Sequence, residues 1–141
     1  MSDALNTLLK NKFEMKTFTH APIPDDQIPE VFTETINRKR FYVTPDGNKY
    51  PSITTVLSGR AKEGINAWRQ RVGEAVANNI MRTAAKRGTA VHELCENYLN
   101  NEELGNQEVL PLAMFTLLKP ELDNINNIVA QEVGLYSDKW G

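Results

Sequence analysis

The sequence predicts an α+β protein in which an N-terminal β-hairpin is followed by helices and a closing strand. Three observations predict this. Asp46-Gly47 stands between two short runs of alternating residues and supplies the backbone freedom a tight hairpin turn needs. Apolar residues recur about every four positions across 65–80 and again across 91–99, which is helical spacing. The segment Ile128–Tyr136 reads as an incoming strand of a sheet.

Taken in order, Asp3–Asn11 predicts a short amphipathic helix through Leu5, Leu8 and Leu9, and Phe13–Phe18 alternates like a strand or extended arm. Ala21–Pro29 carries Pro22, Pro24 and Pro29 with two aspartates, a linker or surface loop. Arg40–Val43 and Lys49-Tyr50 form the hairpin around Asp46-Gly47. Pro51 should end its second strand, and Ser52 is placed to cap a short helix through about Leu57 that Ser58-Gly59 breaks. A longer helix is expected from Glu63 to Thr83, burying Ile65, Trp68, Val72, Val76 and Ile80. On that helix Arg71 and Arg82, about three turns apart, project to one side.

Lys86-Arg87-Gly88 should interrupt the run, so that a new helix opens at Thr89 and continues to Asn100. Its buried stripe is Val91, Leu94, Cys95, Tyr98 and Leu99. Asn101–Gln107 is a polar loop, and Leu110–Ile128 a third helical segment in which Pro120 makes a kink or a new start. Residues 1–37 thus read as an arm and linker, and residues 38–141 as a structured domain.

The composition, 40% hydrophobic and 24% charged, is that of a soluble globular chain long enough for one domain with a core. No apolar run approaches the ~18–20 residues of a membrane helix, and the first residues do not resemble a secretory leader. The single cysteine, Cys95, rules out an intramolecular disulfide and fits a reducing compartment, so an intracellular, cytoplasmic protein is expected.

The net charge of −2 hides a strong segregation. Residues 38–87 hold eleven Lys/Arg against three acids, a net +8, between flanks of −3 and −7. A basic block beside an acidic one suits a phosphate held next to a metal site, although solvated helix faces produce the same pattern.

The chemistry concentrates at His92 and Glu96, four residues apart and so on one helix face. With Val91 at 0° on a helical wheel, His92 falls at about 100° and Glu96 at about 140°, the border of the buried stripe, while Glu93 at about 200° points to solvent. An imidazole and a carboxylate in this relation can help hold a divalent metal but cannot complete a site alone. Gly88-Thr89 just before them would open the helix, with Thr89 as cap and free N–H groups available to a phosphate. A plain surface pair is the competing explanation.

The run Arg87-Gly88-Thr89-Ala90-Val91-His92-Glu93-Leu94-Cys95-Glu96 resembles the G-T-x-x-H-x-x-x-E signature of RecB-like nucleases in the PD-(D/E)XK superfamily. Upstream, Tyr50-Pro51-Ser52-Ile53-Thr54-Thr55-Val56-Leu57 is similar to an element of the mitochondrial genome-maintenance exonuclease and its bacteriophage relatives, followed at similar spacing by Trp68-Arg69. Downstream, Gln131-Glu132-Val133-Gly134-Leu135-Tyr136-Ser137 resembles the segment that carries a Glu on the first core strand of those enzymes. The three elements agree in order and separation and span about 40–141.

The resemblance implies a restriction-endonuclease-like α/β core and a metal-dependent DNA exonuclease using Mg²⁺ or Mn²⁺, acting on single-stranded ends in the cytoplasm, or in a host's cytoplasm if viral. It implies His92 as a metal ligand, Glu96 as a supporting one and Glu132 close to the metal. Lys86, Arg87, Arg71 and Arg82 would contact the DNA backbone, and Ser52, Thr54 and Thr89 would offer hydroxyl and N–H donors to phosphate. Tyr42, Tyr50 and Trp68 are candidates to stack bases, Trp68 being as well placed for the core.

The superfamily's Asp after a hairpin turn and its Asp/Glu-x-Lys are not found in this sequence. Asp138-Lys139 lies before the expected place and does not form the triad. These residues are therefore expected to be the N-terminal half of a longer nuclease, inactive alone, with an exposed sheet edge at Ile128–Tyr136 that would allow homo-oligomers. The rival expectations are a non-catalytic DNA-binding module using the basic block, and a protein-interaction domain.

Overall fold

The computed structural model describes residues 14–105 and 108–140. The helix expected over Asp3–Asn11 lies outside them. Among the described residues are three strands and three α-helices: β1 Phe32–Ile36, β2 Lys39–Val43, β3 Lys49–Pro51, α1 Ile53–Val72, α2 Glu74–Leu99 and α3 Val109–Leu122, with a 3-10 turn at Asp25–Gln27. The α+β class holds. The chain divides into two compact units, one made of Met1–Ala21 and Ala84–Val129, the other of Pro22–Thr83 and Ala130–Gly141. No described helix is long and apolar enough to cross a membrane.

The second unit is built on an antiparallel sheet in the order β1-β2-β3. The expected hairpin is its β2–β3 pair. Gly47 adopts φ 81° at the turn, where its N–H donates to Thr44 O at 2.9 Å, and the buried Thr44 accepts from Asn48 N through its hydroxyl. Pro51 sits on the edge strand, where a missing donor costs no ladder bond.

The sheet also has a strand inside the expected linker. β1 pairs with β2 through a two-residue turn at Asn37 and Arg38, φ 50° and 64°, the backbone that matches strand twist in a tight hairpin. The sheet thus runs across position 37/38.

The helix breaks fall elsewhere than expected. Ser58-Gly59 does not end a short helix, and α1 runs unbroken from Ile53 to Val72. A glycine inside a helix costs only about 1 kcal/mol, which neighbouring turns absorb. The break is Gly73, at φ 87°, whose N–H donates to Arg69 O at 2.9 Å as a helix-ending left-handed residue does. Arg69 holds the junction by reaching Glu74 Oε1 at 3.2 Å, with Asn78 and the Met81 sulfur also bound. The guanidinium hydrogen bond holds the Glu74 carboxyl below its ordinary pKa.

Lys86-Arg87-Gly88 likewise does not interrupt α2, which continues to Leu99. Moreover, the expected buried stripe over 65–80 is not buried: Ile65, Val76 and Ile80 are exposed, Trp68 and Val72 half-buried, and Ala77 is the covered residue. With the break at Gly73 the two halves belong to different helices, so one continuous face does not form.

The first unit has a small aromatic core of Phe18, Leu94, Tyr98, Phe115 and Ile128. Here the expected stripe holds: Val91, Leu94 and Tyr98 are buried, with Cys95 and Leu99 packed beside them. Tyr98 receives Phe18 and Phe115 edge-on, at 5.0 and 5.4 Å between ring centroids.

The strand expected over Phe13–Phe18 is not present at 14–18, and Phe13 lies outside the described residues. Asn101 replaces a neighbouring strand, accepting from Phe18 N at 2.7 Å and donating to Phe18 O at 2.9 Å. Pro120 lies in the last turn of α3, which neither stops nor restarts there and ends at Leu122.

Ile128–Tyr136 is not the expected strand. Ile128 makes a single parallel bridge to His20, and no residue from 129 to 136 is in a strand. Left-handed backbone at Asn127 and Glu132, φ 52° at both, prevents a continuous extended run. The sheet edge expected to support oligomers therefore does not exist at these residues. What fixes the segment is packing within the second unit: a Cβ on Gly134 would lie 3.1 Å from Val31 Cβ, and Tyr136 stacks on Tyr50 at 6.3 Å.

Candidate functional site

In the first unit α2 carries His92 and Glu96 on adjacent turns of one face. Together with Gly88, Thr89 and Glu93 they line an open depression of about 490 Å³. His92 is exposed and Glu96 half-buried, while the helix is anchored by Val91, Leu94 and Tyr98 on its buried face. Glu93, expected to face only solvent, also borders the depression.

Because α2 is continuous, Thr89 does not cap a helix. Its N–H lies mid-helix, so the expected phosphate site at a helix N-terminus is not formed there. Thr89 keeps an exposed position beside His92. Arg87 is half-buried, and the exposed Lys86 pairs with Glu108 at 3.0 Å.

The other expected DNA contacts belong to the second unit. Arg71 is exposed in the last turn of α1, and Arg82 lies on α2, where it donates to Asn79 Oδ1 at 3.1 Å. The Gly73 break means that they do not share a side of one helix. Among the described residues neither forms an ion pair, whereas Lys49 pairs with Glu34 at 2.6 Å and Arg69 with Glu74. The charge blocks of the sequence are thus partly neutralised across their borders, because Glu34 and Glu108 come from the acidic flanks.

Ser52 performs the capping the sequence predicts, with its hydroxyl accepting from Thr55 N at 3.1 Å. It is buried and also bonded to the Thr54 and Thr55 hydroxyls, so its first duty is to start α1. Thr54 stays exposed. Ser52 and Thr54 line a second cavity of about 260 Å³ with Tyr42, Tyr50, Gly134 and Tyr136. Glu132 belongs to this second unit, just before the wall made by Val133–Tyr136.

Tyr136 and Asp138 were not among the expected site residues, yet Tyr136 lines this cavity and Asp138 holds the Tyr50 that lines it. Tyr50 donates its hydroxyl to Asp138 Oδ1 at 2.8 Å, and that bond to a carboxylate raises the Tyr50 pKa. The signal in the sequence was an aromatic in a segment read as strand, which hides a stacking role. Trp68 is half-buried and does not line the cavity.

A divalent ion such as Mg²⁺ or Mn²⁺ takes about six donors, chiefly oxygens. His92 and Glu96 supply two donors of suitable chemistry, and among the described residues no three His, Cys, Asp or Glu side chains gather to hold a metal. The residues present therefore do not complete such a site. Burial raises the Cys95 thiol pKa, which disfavours the thiolate.

Comparison of the chain with protein-family models, with curated proteins and with solved structures found no match in any of the three.

Proposed function

We propose that this chain contributes part of the active site of a metal-dependent DNA nuclease, an exonuclease acting on single-stranded ends. The observation that carries the reading is the shared depression of Gly88, Thr89, His92 and Glu96 on α2, which gathers the four residues of the G-T-x-x-H-x-x-x-E pattern on one accessible face. Mg²⁺ or Mn²⁺, when bound, would lower the pKa of a water and neutralise charge on the phosphate. His92 offers an imidazole nitrogen, and Glu96 one turn on either shares the ion or orients that ring. The further carboxylates of the PD-(D/E)XK pattern would complete the donor set, and its lysine would help to activate the water. Arg87, Lys86, Arg71 and Arg82 would hold phosphates, and Thr54 with Tyr42 and Tyr50 would offer a hydroxyl and ring faces to an unpaired strand.

A specific observation favours a second reading. With only two metal donors gathered and with Arg71 and Arg87 exposed or half-exposed and without ion pairs among the described residues, the chain suits a non-catalytic DNA-binding module. One experiment separates the two: fluorescence anisotropy of a single-stranded oligonucleotide, titrated with the protein across a salt series, with Mn²⁺ and with chelator. The nuclease reading expects binding strengthened by Mn²⁺, and that gain abolished in His92→Ala and reduced in Glu96→Gln. Salt-dependent binding indifferent to Mn²⁺ and to both substitutions assigns the module instead. No binding at low salt removes both.

A further inference from the structure

We propose that the cavity of the second unit between Tyr42, Tyr50 and Tyr136 receives one unpaired base of single-stranded DNA, with Arg40 beside it on a flanking phosphate. The inference rests on the reading that this chain binds single-stranded DNA, and it needs no metal at His92.

The rings are brought together by the sheet and by the segment after Ala130, all within the second unit. Tyr42 and Tyr50 are direct cross-strand partners on β2 and β3, so both side chains leave the same face of the sheet. Tyr136 stacks on Tyr50, with ring centroids 6.3 Å apart and planes 20° from parallel. Each of the three is half-buried. Two of them are fixed without any ligand. The Tyr50 hydroxyl donates to Asp138 Oδ1 at 2.8 Å, and the segment of Tyr136 is seated where Gly134 approaches Val31. Walls that are ordered beforehand lower the cost of ordering them on binding.

Three observations point to a base. Side chains that pack only for stability close on one another, since protein interiors leave few voids larger than a water. Here about 260 Å³ stays open among the rings. That lies below the ~300–1,000 Å³ of a site for a drug-sized molecule, and suits a single flat ring system. The walls are mixed as well, with ring faces and the apolar Val133 beside the exposed Thr54 hydroxyl. A base has a π-face for the rings and a polar edge for the hydroxyl. Finally, residues 38–62 hold six Lys/Arg against Asp46 alone. Lys49 is spent on Glu34, but Arg40 is exposed and forms no ion pair among the described residues. Two residues before Tyr42, Arg40 leaves the same face of β2, and its carbonyl accepts from Ser52 N of the cavity wall at 3.2 Å. A strand with its base in the cavity would meet this guanidinium with its backbone.

The test is fluorescence anisotropy of the whole chain with a short labelled single-stranded oligonucleotide, in chelator, repeated with one abasic position moved along the strand. At one position the abasic strand should bind about five- to a hundredfold more weakly, the effect of one stacked base. Tyr136→Ala should lose as much with the intact strand and nothing further with that abasic strand, while Tyr136→Phe should bind as the parent. Thr54→Phe fills the cavity from an exposed position without removing a ring, so it should show the same loss with unchanged circular dichroism and melting. Arg40→Ala should lower the salt slope by about 0.7 and keep the abasic effect. Binding with no sensitive abasic position, or unchanged in Thr54→Phe, overturns the proposal and leaves the DNA reading standing. Displacement of the strand by micromolar deoxyadenosine monophosphate overturns it in favour of a free nucleotide. No binding at low salt overturns both.

Discussion

The hydroxyl of Tyr98 donates to Oδ1 of Asp123 at 2.5 Å and joins α2 to the end of α3 through the core of the first unit. Around it lie the Lys119 ammonium, 2.9 Å from Asp123 Oδ2, and Lys16, whose Nζ donates to Asp123 O at 2.6 Å and whose N–H donates to the Tyr98 hydroxyl at 3.1 Å. Burial alone would raise the Asp123 carboxyl, but the bonds from Tyr98 and Lys119 outweigh it and hold the pKa below the usual value. Burial and the bond to Asp123 raise the Tyr98 phenol.

A pH dependence follows from that carboxylate. Its folded pKa is depressed, so its contribution to stability is complete above the unfolded value of about 3.9 and is lost as pH falls through the folded value. Acid unfolding followed by circular dichroism should therefore steepen below about pH 4, and Asp123→Asn should flatten that part of the curve. Tyr98→Phe should cost about 1–2 kcal/mol at neutral pH, because it leaves a partly buried carboxylate one donor short. An acid limb identical in Asp123→Asn and the parent would show that another group sets it.

Asn101 should matter more than its exposure suggests. Its side chain both accepts from and donates to the Phe18 backbone, and its own φ of 60° is tolerated by asparagine. Asn101→Ala removes both bonds and strains the backbone, for an expected loss of about 2–3 kcal/mol in denaturant melts. Asn101→Gly relieves the strain alone and should fall between.

Three of the four glycines in the helical region should separate cleanly. Gly59 and Gly88 lie inside helices with open space where a Cβ would stand, so alanine should stabilise by about 0.5–1 kcal/mol at each. Gly73, at φ 87°, should lose about 1–2 kcal/mol on the same change. Equal effects at all three in thermal melts would place the helix break elsewhere.

Gly134 is tight for a different reason. An alanine there would bring its Cβ to 3.1 Å from Val31 Cβ. Gly134→Ala is expected to cost about 1 kcal/mol or more, and Val31→Ala in the same chain to recover part of it.

If Arg71 and Arg87 hold phosphates, each changed to Ala should lower the salt slope of single-stranded DNA binding by about 0.7, the value for one contact. An unchanged slope with unchanged affinity removes that role.

The sequence by itself determined the α+β class, the Asp46-Gly47 hairpin, the Ser52 cap and the buried stripe of Val91, Leu94 and Tyr98. These are local properties, set by turn chemistry, capping and one-turn spacing within a few residues. The same spacing brought His92 and Glu96 onto one face. Only the tertiary structure decided which glycine ends a helix, because Gly59, Gly73 and Gly88 are equally permissive as residues. What distinguishes Gly73 is the left-handed backbone it adopts and the Arg69 side chain that bridges the break to Glu74, Asn78 and Met81. Tertiary structure also decided that 128–136 is not a strand, since of these residues Ile128 alone is in a β-bridge, to His20, and Glu132 turns left-handed. Finally, an apolar spacing says which residues share a face and nothing of what covers it, so the buried stripe of α2 and the open one of α3 read alike until the neighbours are in place.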